Sequence, residues 1–416
     1  MTKPAGVWGV VALLSLGFTI AYIDRTNLSI ALASPSFRDA FHFTDTQRGL
    51  LNSAFFWSYA LCQIPAGFLT DRYGVRIPYA VSFALWSIVS ASTALAGNLW
   101  QLFLFRLLLG AGEAIITPAS MRWITTHVDE KSRGLAVGIL FAGSKFGPAV
   151  GAWLSVLLLE AFGFRPMFAI LGLGSLLFLV PWFRMVRDDD AAPRAESSRT
   201  PGNFAAIWKT PAIYGIMVGT VAYNYFNYFN LTWLPAYLAE HWKLPLTTMG
   251  AYTAFSFLGM AAVAIGGGAW ADALIRRGAE PVRTRKAFTI AGLAIASTEI
   301  VGSMTQSRDV ALAAAFISMA GLGLTTANYW ALTQTLMPGA AIGRITGVQN
   351  FASNLAGVVA PALTGWLIQT TGSYVAPMRA ILIVLLAGIA AYVFLVRREY
   401  APGTEMENAE SRPVLH

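Results

Sequence analysis

Long runs of apolar residues recur along almost the whole chain and are separated by short polar stretches. Several runs reach about 20 residues, which is enough for a helix to cross a hydrocarbon layer about 30 Å thick. The pattern predicts an all-α polytopic membrane protein with twelve transmembrane helices in two pseudo-symmetric six-helix bundles. The predicted helices cover residues 7–33, 46–69, 77–96, 100–123, 133–160, 166–186, 211–239, 247–270, 286–304, 310–336, 344–370 and 376–396.

A charged stretch that also contains Pro and Ser interrupts the apolar runs after the sixth helix. It predicts an exposed cytoplasmic linker at 187–210, between an N-terminal bundle at 1–186 and a C-terminal bundle at 211–398. A polar cytoplasmic tail is expected at 399–416.

The composition excludes soluble classes of protein. Of the 416 residues, 56% are hydrophobic and only 12% are charged, about half the charged share of a soluble domain. The single cysteine, Cys62, lies in an apolar run, so we expect neither a disulfide framework nor a thiol metal site. We expect no cofactor and no metal, because the histidines lack metal-ligand spacing and the chain has no P-loop motif.

The net charge of +8 suggests a nucleic-acid partner, but the basic residues are spread over short loops. With both termini placed in the cytoplasm, 20 of the 29 Lys and Arg residues lie on the cytoplasmic side, six on the other side and three inside helices. This is the bias of the positive-inside rule. We therefore expect a multi-pass protein of the cell membrane, monomeric, in contact with lipid and not with nucleic acid, with both termini cytoplasmic.

Five charged residues stand inside predicted helices of the first half: Asp24, Arg25, Arg106, Glu113 and Lys145. Each costs about 2.5–3.5 kcal/mol on insertion scales, which makes each a candidate for function. We expect no comparable charge deep in the second half. Three cations against two carboxylates favour an anionic ligand.

The spacing of these residues predicts which of their side chains share a helix face. Arg106 and Glu113 lie two helical turns apart on one face, about 10.5 Å along the axis, which suits one cavity better than a direct ion pair. Asp24 and Arg25 point about 100° apart, so one of them is expected to pair with another helix. A second interpretation of all five charges is a set of ion pairs that only hold helices together.

Polar and aromatic residues also occur inside helices of the second half. Asn224, Asn227 and Tyr228 share a helix face, and Asn328 and Trp330 lie in the tenth helix. They are candidates for binding substrate hydroxyls, a carboxylate or a ring. Hydrogen bonding between helices is an equally good interpretation of the asparagines.

The loop after the second helix has a distinctive motif, and a weaker copy follows the eighth. The first reads Gly-x3-Asp-Arg-x-Gly-x-Arg, and the second runs from Gly268 to Asp272 and on to basic residues. Here a glycine permits close helix approach, the carboxylate can accept hydrogen bonds from a helix N-terminus, and a second glycine permits a tight turn. The motif predicts a conformational latch between the two halves, although an ordinary solvated basic loop is the alternative; the latch residues would be Gly67, Asp71, Arg72, Gly74, Arg76 and Asp272.

The Gly67–Arg76 loop resembles the signature loop of the major facilitator superfamily. Tyr22-x-Asp24-Arg25-x-Asn27 and Arg106-x6-Glu113 resemble signatures of its anion:cation symporter family, which includes sugar-acid, tartrate and phthalate transporters. The eleventh-helix run that contains Asn350 and Asn354 is similar to that family too.

The resemblance implies roles for these residues. Arg25 and Arg106 would bind or support the substrate carboxylate, Asp24 and Glu113 would carry protons, and Tyr22, Asn350 and Asn354 would line the site. Protonation of a carboxylate would free an arginine for the substrate.

Lys145 departs from the family pattern, because sugar-acid members tend to have an uncharged polar residue there. Lys145 would bind a second carboxylate, or else neutralise Glu113 or extend to the cytoplasmic interface.

Together these features predict a proton-coupled importer of a small organic anion, such as a sugar acid or a dicarboxylate, that works by alternating access. An anion exchanger or a uniporter for the same substrates is the first alternative, and a non-transporting ligand sensor is the second. A membrane enzyme is not expected, because the helices contain no paired nucleophile and base.

Overall fold

The computed structural model describes residues 4–187, 208, 210–337 and 342–397. Those residues form helices and connecting turns, and no strand occurs among them. Most of the predicted linker at 187–210 and all of the predicted tail at 399–416 lie outside the described residues.

The first half contains nine labelled helices that make six spans. α5 and α6 together form the fourth span, and α8 and α9 together form the sixth. The helices are α1 (Pro4–Ala33), α2 (Pro35–Phe41), α3 (Asp45–Tyr73), α4 (Arg76–Ser92), α5 (Leu99–Glu113), α6 (Ile116–His127), α7 (Glu130–Phe162), α8 (Phe164–Ser175) and α9 (Leu179–Met185).

The second half contains six long helices, one for each predicted span. They are α10 (Pro211–Thr232), α11 (Leu246–Arg276), α12 (Pro281–Ala296), α13 (Arg308–Leu336), α14 (Ile342–Thr371) and α15 (Val375–Phe394). The seventh span was predicted to run as one helix to residue 239, but α10 ends at Thr232. Pro235 has no backbone N–H to donate, and the chain continues through a short turn and a π-helix, Tyr237–His241.

All twelve predicted spans correspond to helices of the described chain. Ten of those spans are apolar and long enough to cross a membrane by composition and length alone. The other two contain α3 and α10, which are long enough but carry more polar residues. In α10 these include the asparagines predicted to line a site.

The start of α3 corrects one sequence prediction. The side chain of Thr44 accepts a hydrogen bond from the backbone of Gln47, whose own side chain caps Thr44 in return. This capping box starts the helix at Asp45. The charge count placed Arg48 on the non-cytoplasmic side, although it falls within the predicted helix 46–69. It lies in the first turn of α3 and is only 3% exposed.

Contacts divide the chain into two compact units that do not follow the sequence halves. The first unit combines the described residues of Met1–Ala195, Tyr228–Leu258 and Gly357–Tyr374. The second combines those of Glu196–Asn227, Gly259–Ala356 and Val375–His416. The first unit thus contains parts of α10, α11 and α14 as well as the whole first half.

Within the first unit, glycines let α7 pack directly on the backbone of α1. A Cβ added at Gly143 would collide with the carbonyl oxygen of Ser15 and would lie 2.9 Å from the Phe18 Cβ and 3.0 Å from the Thr19 nitrogen. Gly147 faces Thr19 and Tyr22 in the same way. This close approach of small residues fixes the part of α1 that carries the predicted site.

We expect Gly143→Ala to destabilise the protein, because the new methyl group has no space between α7 and α1. The cost should be about 1–3 kcal/mol. Gly138→Ala on the same helix is the matched control, since a Cβ there meets no described atom within 4 Å. Alanine also favours the helix by about 1 kcal/mol.

The melting temperature of each purified variant in detergent measures this difference. Gly143→Ala should melt below the wild type, and Gly138→Ala should melt at or above it. Equal melting temperatures for the two variants would contradict the close packing of α1 and α7.

Candidate functional site

Four of the five predicted intramembrane charges belong to one buried cluster in the first unit. Arg25 on α1 donates through Nε to Glu113 Oε2 on α5 at 2.8 Å. The exposed fraction is 7% for Arg25 and 0% for Glu113, so this is a buried ion pair between two helices. It is the sideways pairing predicted for one of the two neighbouring charges on α1.

Aromatic rings surround the Arg25 guanidinium. Its central carbon lies 4.5 Å from the centroids of Tyr22 and Phe55 and 4.8 Å from that of Tyr59. The faces of aromatic rings attract a cation, and this attraction is stronger away from water. The rings therefore compensate part of the hydration that Arg25 loses.

Asp24 faces different partners from Arg25. Its Oδ1 accepts a hydrogen bond from Ser90 Oγ on α4 at 2.6 Å and a longer one from Asn27 Nδ2 at 3.4 Å. Its Oδ2 has no hydrogen-bond partner among the described residues. Within this part of the chain, Asp24 forms no ion pair.

Arg106 on α5 contacts α1 without pairing with a carboxylate. It donates to the backbone oxygen of Asp24 at 3.2 Å and to Asn27 Oδ1 at 3.3 Å. The residue is 3% exposed. Among the described residues, Arg106 is thus a buried cation held by neutral acceptors.

Arg25 and Arg106 line the same small cavity, which has room for about one water molecule. No carboxylate belongs to its described lining, and Glu113 contacts Arg25 without lining the cavity. The lining residues are Arg25, Asn52, Phe55, Phe56, Arg106, Leu231 and Thr232. Glu113 neutralises Arg25, so Arg106, which has no ion pair among the described residues, is the cation that favours an anion in this cavity.

Two other predicted site residues, Tyr22 and Lys145, belong to the first unit. Tyr22 is half-buried and packs against Arg25. Lys145 is half-buried on α7, and it is not among the residues that line the cavity.

Four of the five predicted asparagines of the second half are buried, and three of these four bond within their own helices. The Nδ2 atoms of Asn224, Asn328 and Asn354 each donate to a carbonyl four residues earlier, at 2.9–3.0 Å. Asn328 Oδ1 has no partner among the described residues. The intrahelical bonds thus use the amide nitrogens of these three side chains.

The remaining predicted lining residues occupy varied positions. Tyr228 is buried, with its ring centroid 4.4 Å from that of Phe56 in the cavity lining. Asn227 is 9% exposed on α10. Trp330 and Asn350 are half-buried, and the Trp330 ring lies 5.4 Å from that of Tyr329.

The two loop aspartates make similar ion pairs, each within its own unit. Asp71 at the end of α3 pairs with Arg122 on α6 at 2.5 Å, and Asp272 on α11 pairs with Arg285 on α12 at 2.7 Å. Both carboxylates are about half exposed. We expected a helix N-terminus as the partner of Asp71, but in the described chain a nearby arginine takes that place. The latch between halves remains a prediction.

The other residues of the loop motif have different roles: Gly74 forms a turn, and Arg72 and Arg76 contact aromatic residues. Gly74 has a φ of 76°, which favours glycine, as the predicted tight turn requires. Arg72 lies over Tyr73, and Arg76 donates to the Phe183 carbonyl oxygen at 3.2 Å. A Cβ at Gly67 would meet no described atom within 4 Å, so the expected close helix approach is absent there.

The expectation of no deep charge in the second half was wrong. Glu299 is 2% exposed, and its Oε2 accepts a hydrogen bond from Ser318 Oγ at 2.6 Å. Its position inside the predicted span 286–304 was the available signal. Ser90 and Asn52 were also missed, because a lone serine or asparagine in a helix gives no sign of its partner.

Comparisons with known proteins agree with this architecture. Residues 14–361 match the model of the Major Facilitator Superfamily. A crystal structure of a bacterial homolog to the human lysosomal transporter Spinster, inward-facing and unoccupied, superposes with a TM-score of 0.75 at 21% identity, covering 95% of this chain and 96% of that one. At this identity the likeness concerns the fold.

Curated relatives align over almost their full length. The D-galactonate transporter of Escherichia coli O6:H1 is 30% identical, with 93% of this chain and 94% of the relative covered. The hexuronate transporter of Bacillus subtilis is 29% identical, with 97% and 98% covered. The family model covers most of the chain, and we conclude that this protein is a multi-pass membrane transporter of the major facilitator superfamily.

Proposed function

We propose that the protein imports a small organic anion, with a sugar acid as the preferred class, together with protons. The import would use alternating access across the cell membrane, with both chain termini in the cytoplasm. The observation that carries the proposal is the cavity between α1, α3, α5 and the end of α10. Arg25 and Arg106 line this cavity, and no carboxylate is among its described lining residues.

The chemistry of the two arginines favours a carboxylate ligand. Guanidinium groups bind carboxylates through paired, charge-assisted hydrogen bonds. Arg25 is already paired with Glu113, whereas Arg106 donates to neutral oxygens. A substrate carboxylate would therefore gain most from Arg106, because it replaces neutral acceptors by a charged one.

The names of the relatives support the substrate class. Two of them are transporters of D-galactonate and hexuronate, which are hydroxylated carboxylates. The asparagines on α10 and α13, together with Trp330, Asn350 and Asn354, remain predicted binding residues for hydroxyl groups. This assignment also requires the two predicted six-helix halves, 1–186 and 211–398, to move against each other.

The proton-coupling step would use Glu113 and Asp24. When Glu113 takes up a proton, its ion pair with Arg25 is weakened and the arginine becomes available to the substrate. Asp24 has a free carboxylate oxygen among the described residues and one strong hydrogen bond from Ser90. Import of an anion with protons would also offset its charge.

We expect an imposed pH gradient alone to drive uphill uptake of D-galactonate or D-glucuronate into proteoliposomes. Glu113→Gln and Asp24→Asn should each abolish this uphill uptake, because neither amide can carry a proton between the two sides. Asp309→Asn is the control, since Asp309 is 89% exposed on α13. Uphill uptake that survives both substitutions would rule out the proposed coupling.

The same preparation separates the alternatives. An exchanger would need a preloaded internal anion and would ignore the pH gradient, and a uniporter would stop at equal concentrations. A ligand sensor would bind the anion and move none.

We expect Lys145→Gln to leave the binding of sugar acids unchanged, because Lys145 does not line the cavity that Arg25 and Arg106 share. Thermal-shift measurements with aldonates, hexuronates, dicarboxylates and aromatic acids test this on both proteins. Aldonates or hexuronates should raise the melting temperature of both by the same amount. If a dicarboxylate stabilised the wild type and not Lys145→Gln, Lys145 would instead belong to the binding site.

A further inference from the structure

A second charged cluster of the first unit lies outside the anion cavity. Glu240, in the π-helix after α10, accepts hydrogen bonds from Arg38, Arg48 and Tyr374; we call these four residues the Glu240 cluster. The distances are 3.0 Å from Arg38 Nη1 to Oε1, 2.6 Å from Arg48 Nη2 to Oε1, 3.2 Å from Arg48 Nη1 to Oε2 and 2.9 Å from Tyr374 Oη to Oε2.

The cluster joins parts of the chain that are far apart in sequence. Arg38 is on α2 and Arg48 on α3, both in the first sequence half. Glu240 and Tyr374 belong to the second half, and Tyr374 lies between α14 and α15. One carboxylate thus connects four segments from both predicted six-helix halves.

Arg48 is the most buried member of the cluster. Its side chain is 3% exposed, and its guanidinium carbon lies 4.9 Å from the Trp233 ring. It also donates to Asp45 Oδ1 at 2.7 Å and to the Leu32 carbonyl oxygen at 3.0 Å. Loss of Glu240 would leave this buried cation with fewer charged partners, which is costly.

The phenol of Tyr374 stays a hydrogen-bond donor. Burial, and next the Glu240 carboxylate, raise the pKa of Tyr374 well above its usual range. Tyr374 can therefore donate to Glu240 across the pH range in which a transporter works.

The helices on either side of the cluster touch directly. A Cβ at Gly49 on α3 would collide with the carbonyl oxygen of Pro361 on α14, and one at Gly365 with that of Asp45. Ser53 Oγ donates to the Val358 carbonyl oxygen at 2.6 Å. The backbone of Thr46 donates to Gln369 Oε1 at 3.0 Å.

The cluster lies one helical turn from the anion cavity. Asn52, which lines the cavity, donates through Nδ2 to the Arg48 carbonyl oxygen at 3.2 Å. The direct contact of α3 with α14 begins at the same turn of α3, at Gly49. A pathway from the cavity along this part of α3 would be blocked by the contact.

We propose that the Glu240 cluster is an ion-pair gate that holds α3 against α14, closes one end of the substrate pathway and separates in every transport cycle. This rests on the proposed function, because alternating access requires contacts between the two sequence halves to break on one side at a time. Charged and hydrogen-bonded groups suit this role, since water can replace their partners when the gate opens.

The first test holds the gate shut. Thr46→Cys and Gln369→Cys, combined with Cys62→Ser, place one thiol on each side of the α3–α14 contact. A short bis-maleimide or disulfide cross-link should abolish galactonate uptake into proteoliposomes, and reduction of the disulfide should restore it. The two single-cysteine variants treated identically are the controls. Unchanged uptake with the cross-link complete would overturn the gate.

The second test needs no transported substrate. Ser53→Cys in the Cys62→Ser background places a thiol at the α3–α14 contact, where Ser53 is fully buried. Glu240→Gln should increase its rate of labelling by a water-soluble maleimide about tenfold, as expected for the loss of a charge-assisted hydrogen bond. Tyr374→Phe, which removes one bond and keeps the charges, should give a smaller increase.

Asp309→Asn is the control for this labelling and should leave the rate unchanged. If neither Glu240→Gln nor Tyr374→Phe raises the rate above that of the control, the gate proposal is wrong. The labelling rates could change as predicted while the protein transports no anion. That result would contradict the proposed function and would support the contact between α3 and α14 that the cluster holds.

Discussion

The rest of the site depends on how α1 holds Arg25 out of water. A buried guanidinium loses hydration that its neighbours must replace. For Arg25, Glu113 supplies an opposite charge, and Tyr22, Phe55 and Tyr59 supply ring faces. These groups come from α1, α3 and α5, so the ion pair ties three helices together. The close glycine packing of α7 on α1 fixes the same segment from the other side.

The fold was predictable because the bilayer imposes a simple rule on sequence. Each span needs about 20 apolar residues, and this rule located all twelve helices within a few residues at most ends. It failed where polar residues occur within helices. Arg48 was counted with the charges on the non-cytoplasmic side, although it is buried in the first turn of α3. Glu299 was overlooked inside a predicted span.

The sequence was sufficient to predict the charged residues of the candidate site, but not the residues that they contact. The cost of burying charge identified Asp24, Arg25, Arg106 and Glu113, and helical geometry predicted that Asp24 and Arg25 face different neighbours. The identity of those neighbours depends on tertiary packing. The sequence gives no sign that Ser90 meets Asp24, that Phe55 and Asn52 line the cavity, or that Arg48 and Glu240 meet across 192 residues.

The central claim is that Arg106 holds a substrate carboxylate, and equilibrium binding tests it most directly. Isothermal titration would compare D-galactonate with its uncharged amide on the wild type, Arg106→Gln and the exposed control Arg308→Gln. The account predicts that galactonate binds, that the amide does not, and that Arg106→Gln alone weakens galactonate binding about tenfold or more. Equal galactonate affinity in the wild type and Arg106→Gln would contradict it.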